Sequence, residues 1–436
     1  MTHRHRHDRL RDRRLGAWSK LLLEQSDLYA KRLGRRLELR RVLVREKDLH
    51  YRTEQVPKAA LTTDAEVFFA TPDMPIMIEL GGGRGAISQF VRRAIGMGKH
   101  VVTANKALVS AEGPELLALA RKHNVALAFE ASCCGGIPVI NALNFGLMAN
   151  DIRALYGILN GTCNYILTEM TCAGKSYATA LSEAQQKGYA EADPTLDVSG
   201  RDAAHKLAIL AALAFGVQVT EDKVRSTGID ELDLADVQFG MELGYTIKLL
   251  GIAENVPGKG LLLSVQPCFV HQKELIAQVQ GSFNALSVFG HAVGHTLSYG
   301  RGAGQMPTAS AVLADVLNIA AGWYPQAFTG MNLWPDTQPM AVIVDPDDLV
   351  SRFYVRIKAL DKPGTMARVT AVLGEAGISL SAVRQHEVAA DSFVPVVVTT
   401  HAARYGALRS ALAAIAKLDV IEGQPVCIRI VDMPVG

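Results

Sequence analysis

The sequence predicts an α/β protein in three folded units: a doubly wound parallel sheet, an α+β body, and a small ferredoxin-like βαββαβ module at the C-terminus. Three observations carry this. Between residues 37 and 129, short strands alternate with helical stretches across glycine-containing joints, the pattern of a parallel sheet covered on both faces. From about Asn150 the texture changes to mixed strands and alanine-rich helices. After Phe353 the order becomes strand, helix, strand, strand, helix, strand.

Taken in order, residues 19–33 place apolar groups at helical spacing, and 37–44, rich in branched residues, is predicted as a strand. Residues 76–80 form a short apolar strand ending in Gly81, Gly82 and Gly83. A helix over 86–97, a strand over 100–103, a helix over 114–123 and a strand over 125–129 complete the first unit. Beyond it, 152–159 reads as a strand, 161–170, 177–187 and 202–215 as helices, and 261–266 and 282–288 as strands, in a body running to Trp323. Pro325, Pro335, Pro339 and Pro346 mark 324–350 as a linker. The last unit takes strand 353–359, the turn Asp361-Lys362-Pro363-Gly364, helix 366–376, strands 378–383 and 394–400, helix 405–416 and strand 426–431. The resulting divisions are an aberrant basic segment 1–16, a nucleotide-binding unit 17–149, a body 150–323, the linker 324–350 and a terminal unit 351–436.

Bulk properties agree. A chain of 436 residues is too long for one hydrophobic core. No apolar run reaches the roughly 18 residues of a membrane span, and the start has no apolar core of a signal peptide, so a cytoplasmic protein without membrane contact is expected. The six cysteines have neither zinc spacing nor the density of a disulfide scaffold and are expected to be reduced. Residues 1–16 hold six Arg and two Asp, a charge of +4 that leaves the rest of the chain near −2, which disfavours nucleic acid as a partner.

Four segments carry chemistry. They are Val101-Val102-Thr103-Ala104-Asn105-Lys106-Ala107; Phe129-Glu130-Ala131 through Gly135-Gly136-Ile137-Pro138; Asn160-Gly161-Thr162-Cys163-Asn164-Tyr165-Ile166-Leu167; and Gly188-Tyr189-Ala190-Glu191-Ala192-Asp193-Pro194 leading to Asp202-Ala203-Ala204-His205-Lys206-Leu207. In this order, over residues 18–320, they resemble homoserine dehydrogenase, which interconverts aspartate 4-semialdehyde and homoserine. The terminal unit, with Asp-x-Pro-Gly before a helix, resembles an ACT domain; any other ferredoxin-like module would give the same element order.

Asp202 and Lys206, four apart on a helix, share a face and can pair. Alone, such a pair is an ordinary surface contact. Glu191, on the turn just upstream, offers a second carboxylate for an amino-acid substrate. The resemblance implies that Glu191 and Asp202, with Asn160 and Thr162 nearby, bind substrate, and that Lys206 is the general acid, a role that burial favours by lowering a lysine pKa. Lys106, after a strand end where ligands of such sheets collect, is implied to stand at the nicotinamide and to share proton transfer; a solvated loop lysine is the alternative. Glu130, with the carbonyls of Cys133, Gly135 and Ile137, matches a weak monovalent-cation loop in which sodium is the expected ion, unless Gly135 and Gly136 only make a tight turn. Cys163 stands where the family has a second Thr. Gly82, Gly188 and Gly304 are implied to approach the cofactor, with turn chemistry as the alternative. Arg45, at the end of the predicted strand 37–44 where such a sheet reads the ribose, favours a 2′-phosphate and hence NADPH over NADH. The likeness further implies feedback by an amino-acid effector, threonine, in the terminal unit, and a homodimer or homotetramer.

One departure is large. A dinucleotide fold needs a strand and G-x-G-x-x-G at its start, and residues 1–16 contain neither. Regrouped from the next base, codons permitted for residues 3–15 can spell Ile-Gly-Ile-Gly-Met-Ile-Gly-Phe-Gly-Thr-Val-Gly-Ser, a strand with the whole loop. We read the segment as a frame-shifted copy of that loop; a tag, a displaced start site and a disordered basic arm are the alternatives. As written, the chain is expected to bind NADPH weakly, which leaves a second reading: an amino-acid-binding regulatory protein with impaired catalysis.

Overall fold

The computed structural model describes residues 17–49, 56–385 and 392–434, so the basic segment 1–16 and the expectations placed on it lie outside the described residues. The N-terminal unit is built on a three-stranded parallel sheet in the order Ile76–Glu79, His100–Thr103, Leu127–Ala128. Parallel neighbours need crossover connections, which helices Ala86–Gly96 and Lys106–Lys122 supply. Val101, Val102, Leu127 and Ala128 are fully buried because such a sheet is covered on both faces. The second helix begins well before the predicted residue 114. Asn105 caps it, its Oδ1 accepting from Leu108 N at 3.2 Å, and Pro114 rides inside it, at the cost of one backbone donor.

The predicted strand over 37–44 shortens to Val42–Leu43, paired in parallel with Leu61–Thr62 and separate from the main sheet. In a doubly wound sheet the first strand of the chain lies between these two parts. Among the described residues no strand occupies that place, and Val42–Leu43 does not pair with the main sheet.

The body is an antiparallel sheet in the order Gly294–Arg301, Phe283–Gly290, Ile152–Ile158, Tyr245–Val256, Gly260–His271. Sequence patterning found Ile152–Ile158 whole, the first half of Gly260–His271 and most of Phe283–Gly290, and missed Tyr245–Val256 and Gly294–Arg301. Helices Gly161–Ala173 and Arg201–Phe215 pack against the sheet through Ile166, Leu167, Leu207 and Leu210, all fully buried. Residues 324–350 are no loose linker. Their helix Trp323–Gly330 and following loop bury Tyr324, Phe328 and Trp334, and Arg121 grips Asp336 at 2.9 Å, so the prolines punctuate a packed strap. Large aromatic side chains outweigh the loop-like composition here.

The terminal unit has the predicted βαββαβ order. Its antiparallel sheet runs Ile421–Val431, Val350–Leu360, Phe393–Thr400, Leu380–Gln385, with helices Thr365–Glu375 and Tyr405–Ile415 over a core that includes Phe353, Val369 and Leu408. Its outer strand continues the body: Arg429, Ile430 and Val431 pair in parallel with Cys268, Phe269 and Val270, giving one 11-stranded sheet. On the face turned to the body, Tyr354 packs edge-on against Phe269. Tyr354 Oη (2.8 Å) and Arg356 (Nε 2.6 Å, Nη2 2.8 Å) both donate to Asp236, which is buried on helix Leu234–Glu242.

Candidate active site

Strand Ile152–Ile158 delivers the chain to Leu159 and Asn160, where helix Gly161–Ala173 starts. Asn160 caps that helix, its Oδ1 accepting from Cys163 N at 2.9 Å. Its Nδ2 is thereby turned the other way and donates to Asp202 Oδ2 at 2.9 Å and Asp197 Oδ1 at 2.8 Å. Thr162, one residue into the helix, donates to the carbonyl of Tyr189 at 2.7 Å and lies 3.4 Å from Asp197 Oδ2.

Asp202 and Lys206 sit one turn apart on helix Arg201–Phe215, which the chain enters through Gly200 at φ 80°. Lys206 Nζ donates to Asp202 Oδ2 at 2.8 Å and to the carbonyl of Leu159 at 2.6 Å. Lys106, the first residue of its helix, pairs with the other oxygen, Asp202 Oδ1. One buried carboxylate therefore bridges two ammonium groups, one from the N-terminal unit and one from the body. Burial pushes the Asp202 carboxyl up, but the two lysines outweigh it and hold the group well below the usual carboxylate range. At Lys206 burial pulls the pKa down, but the opposing effects, led by Asp202, together exceed it, and the pKa lies above the ordinary lysine value. The ammonium form is thus secured.

Asp197 was not singled out from the sequence. It lies on the one-turn helix Thr195–Val198, and its hydrogen-bonding partners are the neutral Asn160 and Thr162. Burial first, and then the negative charge of Asp202, raise its pKa. The signal available in sequence was slight: a third acidic residue after Asp193-Pro194, five positions before Asp202. Glu191 is half-buried on the preceding loop, its carbonyl accepting from Gln185 Nε2 at 3.1 Å. Gly188, at φ 75°, ends the helix before that loop.

The glycine turn after strand Ile76–Glu79 is tied to Lys106. Glu79 accepts from Gly82 N at 2.8 Å and from Thr103 Oγ1 at 2.6 Å, Asn105 N donates to Thr103 Oγ1 at 3.0 Å, and Asn105 Nδ2 donates to Gly83 O at 2.6 Å. Gly82 and Gly83 have φ 69° and 81°, a backbone region glycine enters freely. All of this lies at the carboxyl end of the parallel strands. Gly304, at φ 126°, opens helix Gln305–Ala321. Arg45 pairs with Asp48 at 2.6 Å beside the small two-stranded sheet.

In the loop that begins at Glu130, that residue is buried and caps the next helical turn. Its carboxylate accepts from Ile140 N at 2.9 Å, Asn141 N at 2.8 Å and the Asn141 side chain. Its own N–H donates to Asp315 at 2.9 Å, and burial raises the pKa of both acids. Among the described residues neither acid has an ion-pair partner. The loop turns at Cys134 and Gly135 (φ 50° and 51°) and packs on the segment before Gly304, with Gly136 N donating to Arg301 O at 3.0 Å. Cys133 and Cys134 are buried thiols, that of Cys134 pushed up to about 11, chiefly by burial. Ile137 is buried at the end of the loop, its carbonyl accepting from Val139 N at 2.8 Å. Among the described residues no group of three or more His, Cys, Asp and Glu side chains is placed to hold a metal.

Comparison with known proteins gives matches along most of the chain. Residues 138–317 match the family described as homoserine dehydrogenase, 16–130 its NAD binding domain, and 353–417 the ACT domain. The chain is 40% identical over 413 residues to homoserine dehydrogenase of Neisseria gonorrhoeae, covering 93% of this chain and 94% of that one. It is 41% identical to that of Pseudomonas aeruginosa, covering 95% and 96%. The crystal structure of a homoserine dehydrogenase from Thiobacillus denitrificans superposes with a TM-score of 0.88 at 39% identity, covering 96% of this chain and 95% of that one.

Proposed function

The chain belongs to the homoserine dehydrogenase family of oxidoreductases, with a C-terminal ACT domain, and from that premise we propose how its residues divide the reaction. The observation that carries the proposal is the Asp202 carboxylate shared by Lys206 and Lys106.

In the reducing direction the substrate is aspartate 4-semialdehyde. The nicotinamide, when bound, supplies the hydride. Lys206, kept as an ammonium by Asp202, donates the proton to the oxygen that becomes the hydroxyl of homoserine. Lys106 lies across the same carboxylate and stabilises negative charge on that oxygen. Asn160 fixes the Asp202 rotamer. Asp197, whose present partners are neutral donors, receives the α-ammonium of the amino acid, with Glu191 and Thr162 beside it. The glycine turn Gly82-Gly83, Lys106, Gly188 and Gly304 fit a nicotinamide dinucleotide, since the first two leave open backbone at the strand ends and Asn105 ties them to Lys106. Arg45 fits a 2′-phosphate and favours NADPH. Replacing Lys206 by Ala and following nicotinamide absorbance with homoserine as substrate tests the assignment; retained turnover ends it.

The loop Glu130, Cys133, Gly135, Ile137 fits a monovalent cation such as sodium. Its support is the pair of buried acids, Glu130 and Asp315, neither paired with a lysine or arginine among the described residues. In the ACT domain, Thr365 carries a buried hydroxyl with no hydrogen-bond partner in the first turn of its helix, after Gly364 at φ 91°. That supports a small amino-acid effector there, threonine being our choice, acting by feedback. The edge strand Gly294–Arg301, with Tyr299 exposed on it and Val293 exposed in the turn before it, supports a dimer or tetramer. No helix among the described residues is long and apolar enough to cross a membrane, and we place the enzyme in the cytoplasm. A second reading, amino-acid binding without turnover, rests on the missing G-x-G-x-x-G of residues 1–16.

A further inference from the structure

The reaction scheme leaves two buried lysines unused, Lys99 and Lys248, and Lys248 is the deeper of the two. Lys248 stands in the first third of strand Tyr245–Val256, 2% exposed. Its ammonium donates to Asn164 Oδ1 at 3.2 Å and to the carbonyl of Val279; both partners are neutral. Burying an ammonium group without a carboxylate is unfavourable, and burial pushes its pKa down to about 8. The feature tolerated at that cost is a clasp.

Asn164 completes the clasp. Its Nδ2 donates to Val279 O at 3.2 Å and to Phe283 O at 3.1 Å, while Gly281 N donates to Thr168 Oγ1 at 3.0 Å. The chain from Val279 to Phe283 is thereby bound to helix Gly161–Ala173 at two successive turns, with Lys248 closing the bridge from the sheet behind. The same stretch then touches the start of the helix. A Cβ placed on Gly161 would lie 2.6 Å from the carbonyl oxygen of Ser282, so the backbones meet there with no slack. Gly161 is flanked by Asn160 and Thr162, the two residues that hold Asp202, Asp197 and the carbonyl of Tyr189.

We propose that Lys248 is a positioning residue for the amino-acid substrate: through Asn164 and the 279–283 segment it sets the height of the Asn160-Gly161-Thr162 rim against Asp197 and Asp202. The inference rests on the reading of Asp197 and Asp202 as the substrate site. It predicts a specific signature, because the clasp touches the Asn160-Gly161-Thr162 rim directly, whereas it meets Gly304 only through the strand that pairs Phe283 with Arg301 and Lys106 only through Asp202. A residue that only stabilises the fold would lower the active fraction and leave every KM unchanged.

The test is steady-state kinetics of purified Lys248→Met, which keeps the length of the side chain and removes its donors, beside Lys248→Arg, which restores them. The expected result is a homoserine KM raised about tenfold in Lys248→Met, the scale of a lost hydrogen bond to a charged group, with the cofactor KM within twofold of the parent and Lys248→Arg moving back toward the parent value. Asn164→Ala opens the same bridge from the other end and is expected to show the same homoserine-selective rise, which serves if Lys248→Met does not fold. A homoserine KM within twofold of the parent in whichever variant folds overturns the proposal. So does a loss confined to kcat, or equal rises in both KM values. Asp197→Asn, run in parallel, separates the two failures: if it raises the homoserine KM and the clasp variants do not, the substrate site stands and the role of Lys248 falls.

Discussion

Replacing Asp197 by Asn is the sharpest probe of the charge arrangement. Four of the charges described at the site nearly cancel: Lys206 and Lys106 share Asp202, while Asp197 is held by the neutral Asn160 and Thr162. An incoming α-ammonium therefore finds its opposite charge at Asp197. The substitution keeps the shape of the side chain and an oxygen for the Asn160 amide, and removes only the charge. A hydrogen bond to a charged group is worth about 1.5–3 kcal/mol, so the homoserine KM should rise roughly 10- to 150-fold with kcat changed far less. The assay is homoserine oxidation followed by nicotinamide absorbance, with 4-hydroxybutanoate, which lacks the amino group, as a second substrate. The variant should handle that analogue about as the parent does. In the parent, the raised pKa of Asp197 means that acidification protonates it sooner than an ordinary aspartate, so the homoserine KM should climb as pH falls through that raised value, and the variant should not show this limb. Equal losses for both substrates, or an unchanged homoserine KM, would refute the reasoning.

Three further outcomes are expected. Lys206→Ala should lower kcat about 10²- to 10⁴-fold without weakening the cofactor, and fluorescence titration of the variant with the cofactor checks the second half. Protein carrying residues 1–16 as written should bind NADPH much more weakly than a version given a strand and G-x-G-x-x-G at its start; micromolar binding by the former contradicts the reading of that segment, and sequencing the coding DNA tests its frame-shifted origin. Arg356→Met strands the buried carboxylate of Asp236 without its guanidinium, a loss of about 3–5 kcal/mol that should appear as a clear fall in the thermal midpoint, and an unchanged midpoint would count the pair as energetically idle.

The contrast between what the sequence made visible and what it hid follows the reach of each interaction. Asp202 and Lys206 were legible because helical spacing alone puts them on one face. The ion pair of Lys106 with the same carboxylate joins residues from different units, and no local pattern announces it. Asp197 was hidden for a related reason: it rides a single turn whose direction depends on Gly200 and on the amide of Asn160. Pro114 misled because a proline usually opens or ends a helix, whereas here the cap at Asn105 and the buried Leu116 and Leu117 carry the helix through it. Strand Tyr245–Val256 was missed because it is covered on both faces over most of its length, which erases the alternation that marks a half-buried strand. The terminal unit was the easiest to read, since its strands and helices are short, local and punctuated by Gly364 and Gly377.

The parallel pairing of Arg429, Ile430 and Val431 with Cys268, Phe269 and Val270 has a mechanical consequence. The ACT domain and the body are welded edge to edge by backbone hydrogen bonds, so the C-terminal unit cannot swing as a tethered bead would. A single proteolytic nick in the strap between them should leave both fragments eluting together. Any signal arriving from an effector has to travel as twist or shear along shared strands, and the strand it reaches first, Gly260–His271, is the hairpin partner of the one that carries Lys248.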